Sequence, residues 1–262
     1  MHILLTNDDG LHAPGINTLA NELAKFHNVT IVAPDRERSA NSHALTIQES
    51  IRCDEFPSPF ENVRQLALSG TPVDCVKMGL EYFLKDNMPQ LVISGINNGY
   101  NLGSDVLYSG TVAAAMEASF FSIPSIAVSM YRYESLRCFH TAEYINTLIE
   151  KVIVGEKYKG ILNINVPPLG DISLENTVVV PQGVQKYENV IATKEDDQGH
   201  TVYWLAGTID NRGATAAEDV GAIRHSVVTM TPLWWYQTDE KHLSGLTACV
   251  GNKKNNHIYK NI

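Results

Sequence analysis

The chain has 262 residues, with 29 Asp plus Glu against 20 Lys plus Arg, a formal net charge of -9 and a pI near 5.4. That length suits one large α/β domain, or a core with an appendage, and excludes a small stapled module. The acidic balance leaves no general basic field for the phosphates of duplex nucleic acid, so an anionic substrate needs locally placed cations.

In chain order, His2 to Thr6 reads as a buried first strand, ending at Asn7-Asp8-Asp9-Gly10. Pro14-Gly15 then opens a helix whose Ile16, Leu19, Ala20 and Leu23 recur at i, i+3, i+4 and i+7. Val29 to Ala33 is the second strand, Ala44 to Phe56 an extended stretch, and Val63 to Leu68 another strand. Thr71-Pro72-Val73-Asp74 combines an N-cap, a first-turn proline and an acid three places after the cap, and predicts a helix carrying Val76 and Leu80. Leu91 to Ser94 is a strand, Thr111 to Phe121 an alanine-rich helix, Ile126 to Ser129 a strand, Phe139 to Val154 a helix and Ile161 to Val166 a strand. This alternation predicts a parallel sheet covered by helices. After Pro167-Pro168 the pattern changes to short strands at Thr177 to Val180, Lys186 to Glu188, Val190 to Thr193 and Thr201 to Leu205. The expected division is therefore an α/β core over 1–180 and a hairpin-rich extension over 181–262 that packs on the core or on a partner subunit. Trp234-Trp235-Tyr236 reads as interface packing, because aromatics bury large areas and are enriched at interfaces.

No stretch reaches the length of a membrane span, and the opening residues lack the basic, apolar and small-residue sequence of a signal peptide. A cytoplasmic protein is the expectation. Cys53, Cys75, Cys138 and Cys249 form no C-x-x-C and read as reduced, mostly buried small hydrophobes. The nine histidines show no H-E-x-x-H and read as surface or satisfied core residues.

Three loops follow predicted strands: Asn7 to Gly10, Asp35 to Ser39, and Ser94 to Asp105. In a parallel sheet all three open on the edge at the strands' carboxyl ends, where open α/β sheets bind ligands. Convergence there gathers Asp8, Asp9, a serine hydroxyl and an asparagine amide oxygen, an all-oxygen set suited to magnesium, manganese or calcium rather than zinc. The plainer reading of Asp8 and Asp9 is an Asx turn or cap beside Gly10. The third loop, with glycines at 95, 99 and 103, runs into Tyr108-Ser109-Gly110-Thr111 and a helix of small residues. A helix N-terminus is a ready phosphate site, while Ser109 or Thr111 alone reads equally as a simple cap.

There is no G-x-G-x-x-G after the first strand, no G-x-x-x-x-G-K-[ST] and no G-x-S-x-G. A dinucleotide fold, a P-loop hydrolase and an α/β-hydrolase are thereby disfavoured.

Asn7-Asp8-Asp9-Gly10, Ala33-Pro34-Asp35 with Ser39, Ser69-Gly70-Thr71-Pro72, Ser94-Gly95-Ile96-Asn97 through Asn101-Leu102-Gly103, and Tyr108-Ser109-Gly110-Thr111-Val112-Ala113-Ala114-Ala115 stand in order. Together they resemble the SurE family, survival protein E, over most of residues 1 to 130. Asn163-Ile164-Asn165-Val166-Pro167 and Val228 to Leu233 extend the resemblance more loosely.

The resemblance implies a three-layer α/β/α, Rossmann-like core with a C-terminal extension exchanged between subunits in homodimers or homotetramers. It also implies a phosphomonoesterase dependent on one Mg2+ or Mn2+ per subunit, acting on nucleoside 5′- and 3′-monophosphates and, in some members, on short polyphosphate. The metal ligands it implies are Asp8, Asp9, Ser39 and Asn97; on those ligands, whichever of Asp8 and Asp9 has an oxygen facing the attacking water is the candidate general base. On the residues themselves, Asn7, Asn101, Ser109, Gly110 and Thr111 are the candidates for phosphate or substrate contacts. This chain departs from the family pattern at Ser39-Ala40, where Ser-Gly is usual, at Ala217-Glu218-Asp219 and at Ser226-Val227. Two rivals stay in view. An aspartyl-phosphate enzyme requires D-x-D rather than adjacent acids, and a non-catalytic nucleotide or metal sensor releases no phosphate.

Overall fold

The computed structural model describes residues 1–188, 190–210 and 212–250; Asn189, Asn211 and 251–262, all in the expected extension, lie outside the described residues. The core strands are β1 (His2–Thr6), β2 (Asn28–Pro34), β3 (Cys53–Phe56), β4 (Val63–Leu68), β5 (Leu91–Asn98), β6 (Ser125–Met130), β7 (Ile161–Val166) and β8 (Thr177–Val179). The central helices are α1 (Pro14–Leu23), α2 (Pro72–Met78), α3 (Gly110–Ser119) and α4 (Ser135–Leu148). Beyond β8 come β9 (Lys186–Glu188), β10 (Ile191–Glu195), β11 (Thr201–Leu205) and β12 (Thr208–Asp210), then the single turn α5 (Asp219–Ala222), β13 (Val228–Leu233) and α6 (Glu240–Cys249).

Every residue of β1 is buried, because both faces of the sheet are covered. Ile3 and Leu5 point to one face with Leu19 of α1 and Ile145 of α4; Leu4 points to the other with Val76 of α2 and Ala114 of α3. α1 packs on α4 and α2 on α3, which completes the three layers. α2 starts as the sequence predicts: the Asp74 amide donates to the Thr71 hydroxyl at 3.1 Å, and the Thr71 amide donates back to Asp74 at 2.8 Å. Such a reciprocal box satisfies two otherwise orphaned donors at the helix start.

Among the described residues the main sheet runs β3-β4-β2-β1-β5-β6-β7-β13-β8. From β4 to β7 neighbouring strands are parallel, so the loops after β1, β2 and β5 open on one edge. The chain runs outward from β1 to β2 and later crosses to β5 on the other side. The crevice between β1 and β5 is thus a topological switch point, where ligands bind in this class.

Three expectations need adjustment. The sheet does not stop with the expected core segment 1–180: β13 inserts between β7, antiparallel, and β8, parallel. Its Val228, Thr229, Met230 and Thr231 are buried, so a strand from the expected extension completes the core. Between Ala44 and Phe56 only Cys53–Phe56 is a strand; the stretch before it straps across α2 through the Thr46 amide on Asp74 and the Thr71 hydroxyl on the Ala44 carbonyl. All four cysteines are free thiols, but only Cys75 and Cys138 are buried, with Cys249 exposed. Among the described residues no helix is long and apolar enough to cross a membrane.

Candidate functional site

The loop after β1 is closed by Asn7. Its Nδ2 donates to the Gly10 carbonyl at 2.9 Å, and its Oδ1 accepts from the Gly10 amide at 3.1 Å. Gly10 has φ +97, which strains any side chain, and a Cβ there would also crowd the Arg36 backbone at 3.1 Å. The Arg38 amide donates to the Asp8 carbonyl at 2.7 Å and the Leu11 amide to Pro34 at 2.8 Å, stitching the loops after β1 and β2 together.

Asp8 is 5% exposed, and its Oδ1 accepts the Thr111 hydroxyl at 2.6 Å. Asp9 lies nearer the surface, and its Oδ2 accepts from the Asn98 amide at 3.3 Å. From the second loop, Ser39 donates its hydroxyl proton to Glu37 at 2.6 Å. The residue after it, Ala40, takes φ +57 where the family usually has glycine, so the loop keeps a left-handed turn with a Cβ in place. Asn97 stands where β5 breaks register with β6 between Ser94 and Asn97, a bulge that re-aims the side chain. Its Nδ2 is spent on the Gly99 carbonyl at 2.8 Å, leaving Oδ1 free to accept.

Asn101 is held from below. Its amide donates to Asn165 Oδ1 at 2.9 Å, its carbonyl accepts from Asn163 and Asn165, and its Nδ2 donates to the Ser129 hydroxyl at 2.8 Å. Ser109 caps α3, its hydroxyl accepting from the Val112 amide at 3.1 Å. Gly110 is pressed on Asp8, since a Cβ there would meet Asp8 Cβ and Oδ2 at 3.1 Å.

Asp8, Asp9, Ser39, Asn97, Asn101 and Ser109 line one cavity of about 770 Å3, a size suited to a small ligand. Glu37 and Asp105 line it as well, while among the described residues no Lys, Arg or His does. Burial raises the Asp8 carboxyl above its ordinary range. Asp9 is pushed up to about 6, first by burial, then by the negative charge of Asp8 and further by Glu37. The two carboxylates therefore face each other's field, and among the described residues no cationic side chain lines the cavity to relieve it.

The donor chemistry fits a hard divalent ion. Asp8, Asp9, Ser39 and Asn97 all line one cavity, and each keeps oxygen acceptor capacity after its internal hydrogen bonds are counted. Among the described residues no group of three or more His, Cys, Asp or Glu is arranged for a metal. The set here mixes two carboxylates with a hydroxyl and an amide, which excludes the nitrogen and sulfur ligands of a zinc centre.

Asn7 is not among the residues lining the cavity: both ends of its amide bond to Gly10 and it is fully buried, which suits a role in shaping the loop. Gly110 and Thr111 stand one layer behind the cavity wall, against Asp8. Among the aromatic and histidine candidates for the mouth, Tyr108 lines the cavity, whereas Tyr100 packs on Tyr131 and His43 binds Glu117 at 2.9 Å. Sequence reasoning passed over Glu37, whose only signal is its place two residues before Ser39. It also missed Tyr187, Val190, Leu205 and Ala206, which reach the cavity from 80 or more positions away and leave no local mark.

Fold and cavity together define an open-sheet α/β protein with an acidic, oxygen-lined site at its switch point. The profile of the family described as survival protein SurE matches residues 3–189. A 5′-nucleotidase SurE of Heliobacterium modesticaldum is 40% identical over 252 residues, covering 96% of this chain and 92% of its own. Another from Synechococcus sp. (strain JA-3-3Ab) is 43% identical over 237 residues, covering 89% and 91%. The crystal structure of the SurE protein from Aquifex aeolicus superposes with a TM-score of 0.80 at 33% identity, covering 95% of this chain and all of that one. The chain belongs to the survival protein SurE family.

Proposed function

We propose that this protein is a nucleotidase: a phosphomonoesterase that hydrolyses nucleoside 5′-monophosphates, and also 3′-monophosphates and short polyphosphate, with one Mg2+ or Mn2+ held by Asp8, Asp9, Ser39 and Asn97. The observation that carries this reading is the charge of the cavity, where four carboxylates meet and, among the described residues, no cationic side chain does. A phosphate dianion enters such a site only with a cation, and the relatives at about 40% identity bear the name 5′-nucleotidase.

When bound, the ion supplies charge neutralisation and Lewis-acid polarisation of a phosphoryl oxygen. The protein's own groups do the rest. Asn101 and the Ser109 hydroxyl face the cavity and take phosphate oxygens; the N-terminal amides of α3 at Gly110 and Thr111 add the positive end of the helix dipole behind them. Thr111 orients Asp8, and Asn7 orients the loop that carries both acids. Asp9, the less buried acid, accepts the proton of the attacking water as the water oxygen bonds to phosphorus and the bond to the ribose oxygen breaks; that proton then passes to the leaving ribose oxygen, which departs as the nucleoside hydroxyl. Catalysis is then mainly positioning and charge neutralisation. The same reading has the chain self-associating as a dimer or tetramer through its extension, where Trp234 stacks on Trp235 and Tyr236 meets Trp235 edge-on at the surface.

The test is phosphate release from several nucleoside monophosphates by chelator-treated protein, with and without added Mg2+ or Mn2+. Metal-restored release is expected, with loss in Asp9→Asn. Nucleotide binding with no release above the chelated control would leave a sensor instead.

A further inference from the structure

The cavity has two unlike walls. Its floor is the polar set at the strand ends. Its opposite wall comes from the arm spanning β9 to β12, through Tyr187, Val190, Leu205 and Ala206, with Tyr108 beside them. Val190, Leu205 and Ala206 offer no side-chain hydrogen bond, and Leu205 is 90% exposed and Val190 46% exposed. Apolar side chains lining a cavity beside a polar floor favour a ligand whose far end is itself apolar.

The arm pairs with itself, β10 with β11 and β9 with β12, and adds no strand to the main sheet. Its root is tied to the glycine-rich loop that follows Asn101. Gln182 Nε2 donates to the Gly103 carbonyl at 2.7 Å, the Ser104 hydroxyl donates to the Gln185 carbonyl at 2.8 Å, and the Tyr187 hydroxyl donates to Asp105 Oδ2 at 2.5 Å. Asp219, fully buried, joins the two segments by accepting from the amides of Gly103 at 2.9 Å and Gly183 at 2.7 Å. Gly103 has φ +52, and a Cβ there would lie 2.7 Å from the Gln185 nitrogen, so the two backbones are in direct contact. The loop that positions the floor therefore also positions the arm.

We propose that this arm is the element that recognises the nucleoside part of the substrate, with the Tyr187–Asp105 bond as the latch that holds it over the phosphate-binding floor. The assignment rests on the nucleotidase reading. Inorganic polyphosphate has nothing to cover the arm's apolar wall, whereas the base and ribose of a nucleoside monophosphate fill the space between the two walls. Tyr187 sets the arm's place through its hydroxyl, and Leu205 and Val190 supply the surface.

The test compares AMP with glycerol 2-phosphate, which has the phosphate ester but no base, in the wild type, Tyr187→Phe and Leu205→Ser. The ratio of kcat/KM for AMP to that for glycerol 2-phosphate should fall about tenfold in each variant, mostly through KM for AMP. A ratio within twofold of wild type in both variants would overturn the assignment. Adenosine binding, followed by fluorescence of Trp204 on β11, gives a readout independent of turnover. Saturable binding in the wild type, weakened about fivefold or more in both variants, is expected; no adenosine-dependent change in the wild type would overturn the arm's role. Hydrolysis of glycerol 2-phosphate without hydrolysis of any nucleotide would instead sink the nucleotidase reading. Adenosine bound at the arm by a protein that releases no phosphate would sink that reading while leaving the arm's role intact.

Discussion

The Thr111 hydroxyl donates to Asp8 Oδ1 at 2.6 Å, joining the first turn of α3 to the loop after β1 across 103 positions of sequence. The bond fixes Asp8 Oδ1 against α3, and it is the principal interaction opposing the rise that burial imposes on that carboxyl. Thr111→Val keeps the shape and removes the donor. A hydrogen bond to a charged group contributes about 1.5–3 kcal/mol, so kcat/KM should fall roughly 10- to 100-fold. Steady-state phosphate release across a Mn2+ titration checks this, with the half-saturating metal concentration expected to rise. Wild-type metal dependence in the variant would remove Asp8 orientation from the account.

The raised carboxyl of Asp9 sets the sign of a pH effect on metal-free protein. Its ordinary pKa of 3.8 rises to about 6 in the fold, so between about pH 4 and about pH 6 the native state keeps a proton that the unfolded chain has released. Stability contributed by this group is full below that window and is lost as pH rises through it. Allowing for partial solvent screening, the loss is about 1–2 kcal/mol. Urea unfolding in chelator at pH 5 and pH 7 should show the midpoint falling at the higher pH, and Mg2+ at pH 7 should restore it. A midpoint that rises from pH 5 to pH 7 would contradict the carboxylate field.

Asp9→Asn separates function from stability. The amide keeps the shape but removes one of two adjacent like charges, so metal-free protein at pH 7 should melt a few degrees higher, on the order of 2–6 °C for a chain of this size. Phosphate release should drop at least about 100-fold. Calorimetry beside a phosphate assay reads both, and a variant that loses stability and activity together would point to a structural role.

Gly110→Ala tests how closely α3 approaches Asp8. In an exposed helix interior this change stabilises by up to about 1 kcal/mol. Here the new Cβ meets Asp8 Cβ and Oδ2 at 3.1 Å and Pro72 Cγ at 3.2 Å, so the carboxylate must move by a few tenths of an ångström. The expected outcome is a Tm within a few degrees of wild type and turnover down about tenfold, since small displacements of a catalytic group are costly. Unaltered turnover would mean that Asp8 tolerates the shift.

Asp219→Asn probes the joint between the glycine-rich loop and the later chain. The carboxylate accepts from the amides of Gly103, Gly183 and Val220, all at 2.9 Å or less, and an Asn side chain would turn a donor toward one of them. A buried donor left unsatisfied costs about 1–3 kcal/mol, more where a charged acceptor is lost. Thermal melting should show a drop of several degrees; an unchanged Tm would mean that the joint is held by other contacts.

Much of this architecture is legible in the residues taken in order. The period of Ile16, Leu19, Ala20 and Leu23 places one face of α1, and all four are buried. Thr71-Pro72-Val73-Asp74 predicts a capping box that forms as written. Asp8, Asp9, Ser39 and Asn97 reach one cavity because each closely follows or ends a parallel strand, and parallel strands open their carboxyl ends on the same edge. The insertion of β13 between β7 and β8 is not legible in this way, nor is the approach of Leu205 to the cavity. Each depends on partners far along the chain whose pairing no local pattern encodes. Asn7 illustrates the same limit at short range, because a ligand contact and an Asx-type loop closure ask for the same side chain.

The sequence by itself determined the alternation of buried strands and capped helices, and placed the acids at the end of the first strand, because periodicity, caps and turns act within a few residues. Only the tertiary structure decided that Asp8 points its carboxylate at Thr111, that Asn163 and Asn165 support Asn101 from beneath, and that an arm from the later chain closes the cavity. Those contacts join segments about 60 to 110 residues apart. Their geometry follows from sheet order and register, which arise when the whole core packs at once.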